Sequence, residues 1–240
     1  MEIFKEIFFK PLYNLLIFLY NAIPSHDFGV AIILLTLIIK FILIPSSKSA
    51  IESQKAITDL QPKIKEVQQK YKDNKEKQAQ TLIELYKEHK INPFSGFLNL
   101  IVQIPILIAL YQVFWEGLNP KNLSSLYSFI ANPGQIDPLF LGLLDLSKSS
   151  IFLAILAGLL QFVQTKMMSQ PIIKNPQKDD FMSLFNQQMI YMMPFMTILI
   201  GLKLPAGLSL YWTTITLFAI IQQYLILKNK NNERVIKTNN

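Results

Sequence analysis

The chain has 240 residues, 51% of them hydrophobic, with a mean hydropathy of +0.30 and a formal net charge of +7. Apolar residues gathered into runs of bilayer-crossing length exclude an ordinary soluble two-domain protein. The lack of cysteine excludes disulfides, thiolate metal sites and cysteine nucleophiles, and the two histidines, His26 and His89, lie outside the apolar runs.

Residues 1–23 carry Ile3, Phe4, Ile7, Phe8, Leu12, Leu15, Leu16, Leu19 and Ile23 on one helical face, with Glu2, Lys5, Glu6, Lys10 and Asn14 on the other. That pattern predicts an amphipathic helix lying in the outer membrane interface, over a unit of residues 1–27. Pro11 is expected to kink it. A sixth, N-inside span is the competing reading, and NAIPS (21–25) is a poor signal-peptide cleavage site.

The first span is expected at Phe28–Ile44 and contains LLTLIIKFILIP (34–45). A lysine at the centre of a membrane helix costs about 2.5–3.5 kcal/mol on the insertion scale. The eleven large apolar residues between Ile32 and Ile44 return about 0.3–0.6 kcal/mol each, so the segment still enters a bilayer. Lys40 has two readings. It either snorkels to the headgroups, which lie about 9 Å away at helical rise, or it faces a wet cavity and attracts negative charge.

Residues 46–92 hold ten lysines and seven acids. Pro62 is able to open a helix; Ile64, Val67 and Tyr71 form one apolar stripe, and Ala79, Leu82, Ile83 and Tyr86 form a second. With KDNK (72–75) as a turn, the pattern predicts a cytoplasmic helical hairpin, either a solvated connector or a docking element. Further spans are expected at Phe94–Phe114, Ser150–Met168, Gln188–Leu202 and Ala206–Leu227. The third and fourth spans are thin, which local bilayer thinning or a wet interior tolerates. The loop 117–149 contains PLFLGLLDL (138–146), read as a short helix resting on the membrane surface.

Within the spans, Asn99, Gln103, Gln112, Gln161, Gln164, Tyr211, Trp212, Thr213, Thr214, Thr216, Gln222 and Gln223 need polar partners. Helix-to-helix hydrogen bonds supply one answer. A hydrated groove supplies another, favoured because no acid in spans one, two, three or five neutralises Lys40. Trp212 and Thr216, four apart, share a helical face, and Thr213 is expected to turn largely away. Seventeen basic residues fall in 45–92, 166–190 and the tail, against Lys5, Lys10, Lys121, Lys148 and Lys203 on the other side. The positive-inside rule puts the hairpin and the basic tail 228–240 in the cytoplasm and the N-terminus outside.

FGVAIILLTLIIKFILIPSSKS (28–49), LQPKIKEVQQKYKDNKEKQAQTLIELYKEHKINPFSGFLNLIVQIPILIALYQVF (60–114) and LPAGLSLYWTTITLFAIIQQ (204–223) together resemble the bacterial YidC/Oxa/Alb membrane protein insertase family. The resemblance covers nearly the whole chain from about residue 12 and lacks the large outer domain of some members. It implies an all-α membrane protein: a core over 28–227 with five transmembrane helices around a hydrophilic groove, open to the cytoplasm and closed outside. It implies no cofactor, no metal and no catalytic residue. Nascent membrane proteins are the implied substrates. The ribosome, the Sec translocon and a targeting receptor are the partners it implies for the hairpin and tail, alongside membrane lipids and without DNA.

By the same resemblance Lys40 is the groove cation. Gln103, Gln164, Tyr211, Trp212 and Thr216 match polar or aromatic groove positions. Ile104, Leu107 and Leu208 match the slide along which a substrate span leaves for lipid. Pro45 and Pro105 match helix-shaping prolines. Many members have arginine at the cation position; lysine keeps the charge and loses the fork of donors.

Rival classes make different demands. A small channel or solute transporter calls for charge at more than one span or an internal repeat, and neither is evident. An intramembrane enzyme calls for a nucleophile–base pair or metal ligands, and spans with no histidine, acid or cysteine offer none. A passive assembly factor that holds membrane partners without inserting them differs only in its product. No phosphate-binding glycine loop is present.

Overall fold

A computed structural model describes residues 2–92, 95–116, 125–168 and 181–238. Pro93 and Phe94 of NPFSG, the Asn99 side chain, residues 117–124, Lys174, Lys178 and the tail side chains beyond Asn229 lie outside the described residues. The described chain is mostly helical, as expected of an all-α membrane protein.

The first helical segment comprises α1 (Glu2–Phe4), a π-helical turn (Lys5–Phe9) and α2 (Lys10–Ala22). Pro11 explains the turn: it lacks an N–H, and its ring crowds the carbonyl four residues back. The backbone answers with a wider i→i−5 bond from Lys10 N–H to Lys5 O. The extra residue shifts the helical register, and the buried face becomes Phe9, Tyr13, Asn14, Leu16, Ile17 and Tyr20. Ile3, Ile7 and Phe18 are exposed instead. Asn14, expected on the polar face, is 1% exposed. It donates to Ser125 O at 3.1 Å and accepts from Tyr127 N at 2.7 Å, so its polarity is spent inside the protein.

Asp27 caps α3 (Phe28–Ile42) by accepting from Val30 N at 2.9 Å. At Leu43 the chain bends by 67° into α4 (Ile44–Lys70), and Pro45 sits in the first turn of α4, where a missing N–H costs nothing. Pro62 is carried inside α4 and does not start a helix. α5 (Lys75–Glu88), capped by Asn74, returns along α4. The hairpin forms as expected, with a changed contact face. Ile64 is buried and Leu82, Leu85, Tyr86 and His89 are partly covered, whereas Ala79 and Ile83 point outward.

α6 (Ser95–Glu116) packs on α4, α2 and the π turn, with Pro105 inside it. The stretch PLFLGLLDL is not a helix. Leu139–Phe140 (β1) and Leu144–Asp145 (β2) pair antiparallel, and Leu141 and Gly142 both take positive φ in the turn, at 52° and 68°. Two consecutive left-handed residues cannot continue a right-handed helix.

α7 (Ile151–Met168) and α8 (Phe181–Gly201) form a close pair through small residues. A Cβ on Gly158 would collide with Ile198 and stand 3.0 Å from Pro194 O. α9 (Ala206–Thr238) is central and packs on α3, α4, α6, α7 and α8. Ala206–Asn229 is long and apolar enough to cross a membrane, and Phe28–Ile42 qualifies when joined to α4 across the bend. Gln103–Val113, Ile151–Met167 and Ile190–Gly201 are shorter apolar helices among the described residues.

Candidate functional site

The buried residues of α3 include Phe28, Ile32, Thr36 and Lys40, a row of i, i+4 steps that faces the protein. Lys40 therefore continues an interior stripe. At 8% exposure it is covered by protein, whereas a snorkelling lysine on a lipid face would stand bare. Among the described residues Lys40 makes no ion pair and no hydrogen bond. Thr36, one turn away, donates its hydroxyl back to Ile32 O at 2.7 Å and makes no bond to Lys40.

α9 runs alongside α3 from the same end. The ring centroids of Phe41 and Phe218 lie 5.5 Å apart, which sets Lys40 and Thr216 at nearly one height. Tyr211, Ile215, Phe218 and Gln222 form the row of α9 that meets α6, α3 and α4. Gln103 Nε2 donates to the Tyr211 hydroxyl, and Gln222 Nε2 donates to Ser47 Oγ at 2.8 Å. Ser47 was not singled out from sequence; one serine of PSSKS (45–49) gives no signal until its partner, 175 residues away, is known.

Thr216 belongs to a different row. Ser209, Thr213, Thr216 and Gln223 repeat along the other side of α9, and all four are buried. Ser209 lies on the side of α7 and α8, since a Cβ at Gly201 would sit 3.1 Å from its Oγ and 3.0 Å from Ala154 Cβ. The single polar wall expected from sequence is thus split between two sides of α9. Thr213, expected to turn away from the polar face, shares the row of Thr216. Trp212 is partly buried, and Gln164, on α7, is half-buried with no hydrogen bond among the described residues to Lys40, Gln103 or Tyr211.

Among the proposed slide residues, Ile104 is exposed, Leu107 is half-buried, and Leu208, at 2% exposure, is enclosed in the core. Leu208 is therefore no open edge: the start of α9 is surrounded by neighbouring helices. Three buried polar atoms on the α9 rows and one on α6 have no partner among the described residues: Ser209 Oγ, Thr213 Oγ1, Gln223 Nε2 and Gln112 Oε1. Such atoms in a native interior call for water or another polar group. Among the described residues no cluster of acids or histidines is suited to hold a metal.

Apolar helices around a buried lysine with no acidic partner among the described residues, and a basic helical hairpin at one end, define an all-helical membrane protein. Residues 18–234 match the model of the 60Kd inner membrane protein family. The chain is 37% identical over 223 residues to the membrane protein insertase YidC of Fusobacterium nucleatum, covering 90% of this chain and 97% of that one. It is 33% identical to the proteins of the same name from Actinobacillus pleuropneumoniae and Cellvibrio japonicus, covering 92% and 91% of this chain and 36% and 35% of theirs. The chain thus spans about a third of the length of these two longer relatives. It belongs to the 60Kd inner membrane protein (YidC/Oxa) family of bacterial inner membrane insertases.

Proposed function

We propose that the chain inserts integral membrane proteins, alone or with the Sec translocon, by drawing polar substrate segments toward Lys40 and releasing the apolar span into lipid. The observation that carries this reading is the burial of Lys40 inside a helical bundle without an acidic partner among the described residues. An unpaired charge in a low-dielectric interior is expensive unless water or a visiting anion accompanies it. Partnerless polar atoms on α9 support a wet interior. A charged, wet midpoint shortens the dry path of a translocated tail, and burial of the substrate's own span at about 25 cal/mol per Å² drives the step without a nucleotide.

In this reading five helices cross the membrane: α3, α6, α7, α8 and α9. The lysine-rich hairpin and tail lie in the cytoplasm and the loop 125–150 lies outside. The hairpin and tail meet a ribosome, a targeting receptor or the translocon, and the tail adds attraction to anionic lipid, about 1 kcal/mol per basic residue at the surface. Gln103 and Tyr211 line the side of α9 that faces Lys40, Thr216, Gln164 and Trp212 form a second polar face toward α7, and Ile104 and Leu107 border the lipid exit.

The decisive experiment is reconstitution into proteoliposomes with a short, Sec-independent substrate whose translocated tail is acidic. The tail should become protected inside the vesicles in the presence of the protein. Binding of the substrate without protection of its tail would reduce the protein to a passive assembly factor.

A further inference from the structure

We infer that Asp27, Gly29 and Phe140 form an outer clasp that locks the loop 138–148 across the first turns of α3 and α9 and closes the Lys40 site on the side away from the hairpin. This rests on the groove reading and on the orientation above. The first turn of a helix leaves backbone N–H groups without partners. Here the loop and one carboxylate take several of them at once. Asp27, largely buried, accepts from Val30 N with Oδ1 at 2.9 Å and from Leu141 N with Oδ2 at 2.6 Å. One carboxylate therefore caps α3 and pins the turn of the β-hairpin.

Phe140 presses its ring on Gly29, where any Cβ would overlap the ring, so glycine is what admits the strand to the helix. At the other end of the same stretch, Ala206 N donates to Lys148 O at 2.7 Å and Gly207 N donates to Leu146 O at 3.0 Å. Leu146 is buried, and its own N–H closes the loop on Pro138 O at 2.9 Å. One stretch of eleven residues thus bridges the starts of the two helices that carry Lys40 and Thr216. Lys40 lies thirteen residues along α3 from Asp27, about 20 Å at helical rise. Fixing the helices at one end while their far halves accept a substrate makes the site one-sided. Asp27 and Phe140 are positioning residues in this scheme and do not touch the substrate.

The test uses the full chain with one cysteine, at Thr36 or Gln103, in sealed vesicles of known orientation. A membrane-impermeant thiol reagent is added from one side at a time. With the clasp intact, both cysteines should label from the hairpin side and resist the reagent from the loop side. Asp27→Ala and Phe140→Ala should raise loop-side labelling at least tenfold and leave hairpin-side labelling unchanged. Asp27→Asn, which keeps one capping oxygen, should give an intermediate rise. Should Asp27→Ala fail to fold, Phe140→Ala and Asp27→Asn decide. Unchanged loop-side labelling in folded variants whose Tm has dropped would overturn the clasp alone. Protection from both sides in the unaltered clasp background would overturn the groove reading instead.

Discussion

At the loop end of the bundle, side chains from the first thirty residues bond backbone groups more than a hundred residues away. Asn14 meets Ser125 and Tyr127, Asn21 meets Ala131, the Tyr20 hydroxyl accepts from Asp137 N, and Asp27 holds Leu141. At the hairpin end, past the Gln222–Ser47 bond at its root, the bonds are local. Gln78 donates to Gln68 O across the turn, Lys70 and Lys77 sit over the Tyr71 ring at 5.5 and 5.6 Å, and Lys55 pairs with Asp59 one turn on. No residue of α5 is buried. Local opening is cheapest where few apolar contacts are buried, so the hairpin should move as a unit while the loop end stays fixed. The contrast is what the proposed one-sided site calls for.

The largest effect should come from reversing the charge between these ends. Lys40→Glu should reduce insertion of substrates with acidic tails by tenfold or more, and Lys40→Ala by less. An intramembrane charge is worth a few kcal/mol, and each 1.4 kcal/mol is a factor of ten. Lys40→Arg should retain activity. Protease protection of the substrate tail reads all three, and equal activity at equal expression would leave Lys40 a passive resident of the core.

Deleting 62–90 should cut insertion of ribosome-bound substrates several-fold while the detergent Tm of the remaining bundle barely moves, since no residue of α5 is buried and, of the part of α4 removed, only Ile64 is. A large drop in Tm would show that the hairpin is part of the core and would erase the contrast between the ends.

Asn14→Leu should break the loop end measurably. It strands a Tyr127 N–H and a Ser125 carbonyl that have no other partner in view, at about 1–3 kcal/mol for a buried unsatisfied group. Thermal unfolding in detergent gives the number; a neutral result would mean that water replaces the amide.

The smallest effect is electrostatic and lies on the loop surface. Lys148, hydrogen-bonded at 2.8 Å, and the Ser147 hydroxyl hold the Asp145 carboxyl down to about 2. A folded value below the usual carboxylate range stabilises the fold above pH 4 and loses that contribution as pH falls toward 2. The group is partly open to solvent and its partner Lys148 is exposed, so the loss should be slight. Asp145→Asn should flatten this part of the pH–Tm curve, and an unchanged slope would show that the pair does not contribute.

Much of this organisation was legible in the chain. Lys40 stands out because a charge inside LLTLIIKFILIP violates the cost of burial, and Tyr211 and Gln103 because polar groups in apolar runs need partners. The hairpin was visible in its lysines and in the KDNK turn. The loop before α7 misled: PLFLGLLDL has the apolar content of a helix, and its fate was decided by two left-handed residues and by a docking surface at Gly29 supplied by another part of the chain.

The sequence by itself determined which segments avoid water, where charge collects and which single cation enters the apolar core, because transfer free energies act residue by residue. The tertiary structure alone decided which faces meet. It turned Asn14 inward through a π turn at Pro11, and it divided the polar residues of α9 between two sets of neighbours. It also joined Asp27 to Leu141 across 114 positions. Helical periodicity fixes which residues share a face, but packing among several helices chooses the neighbour each face receives, and that choice depends on contacts between distant segments.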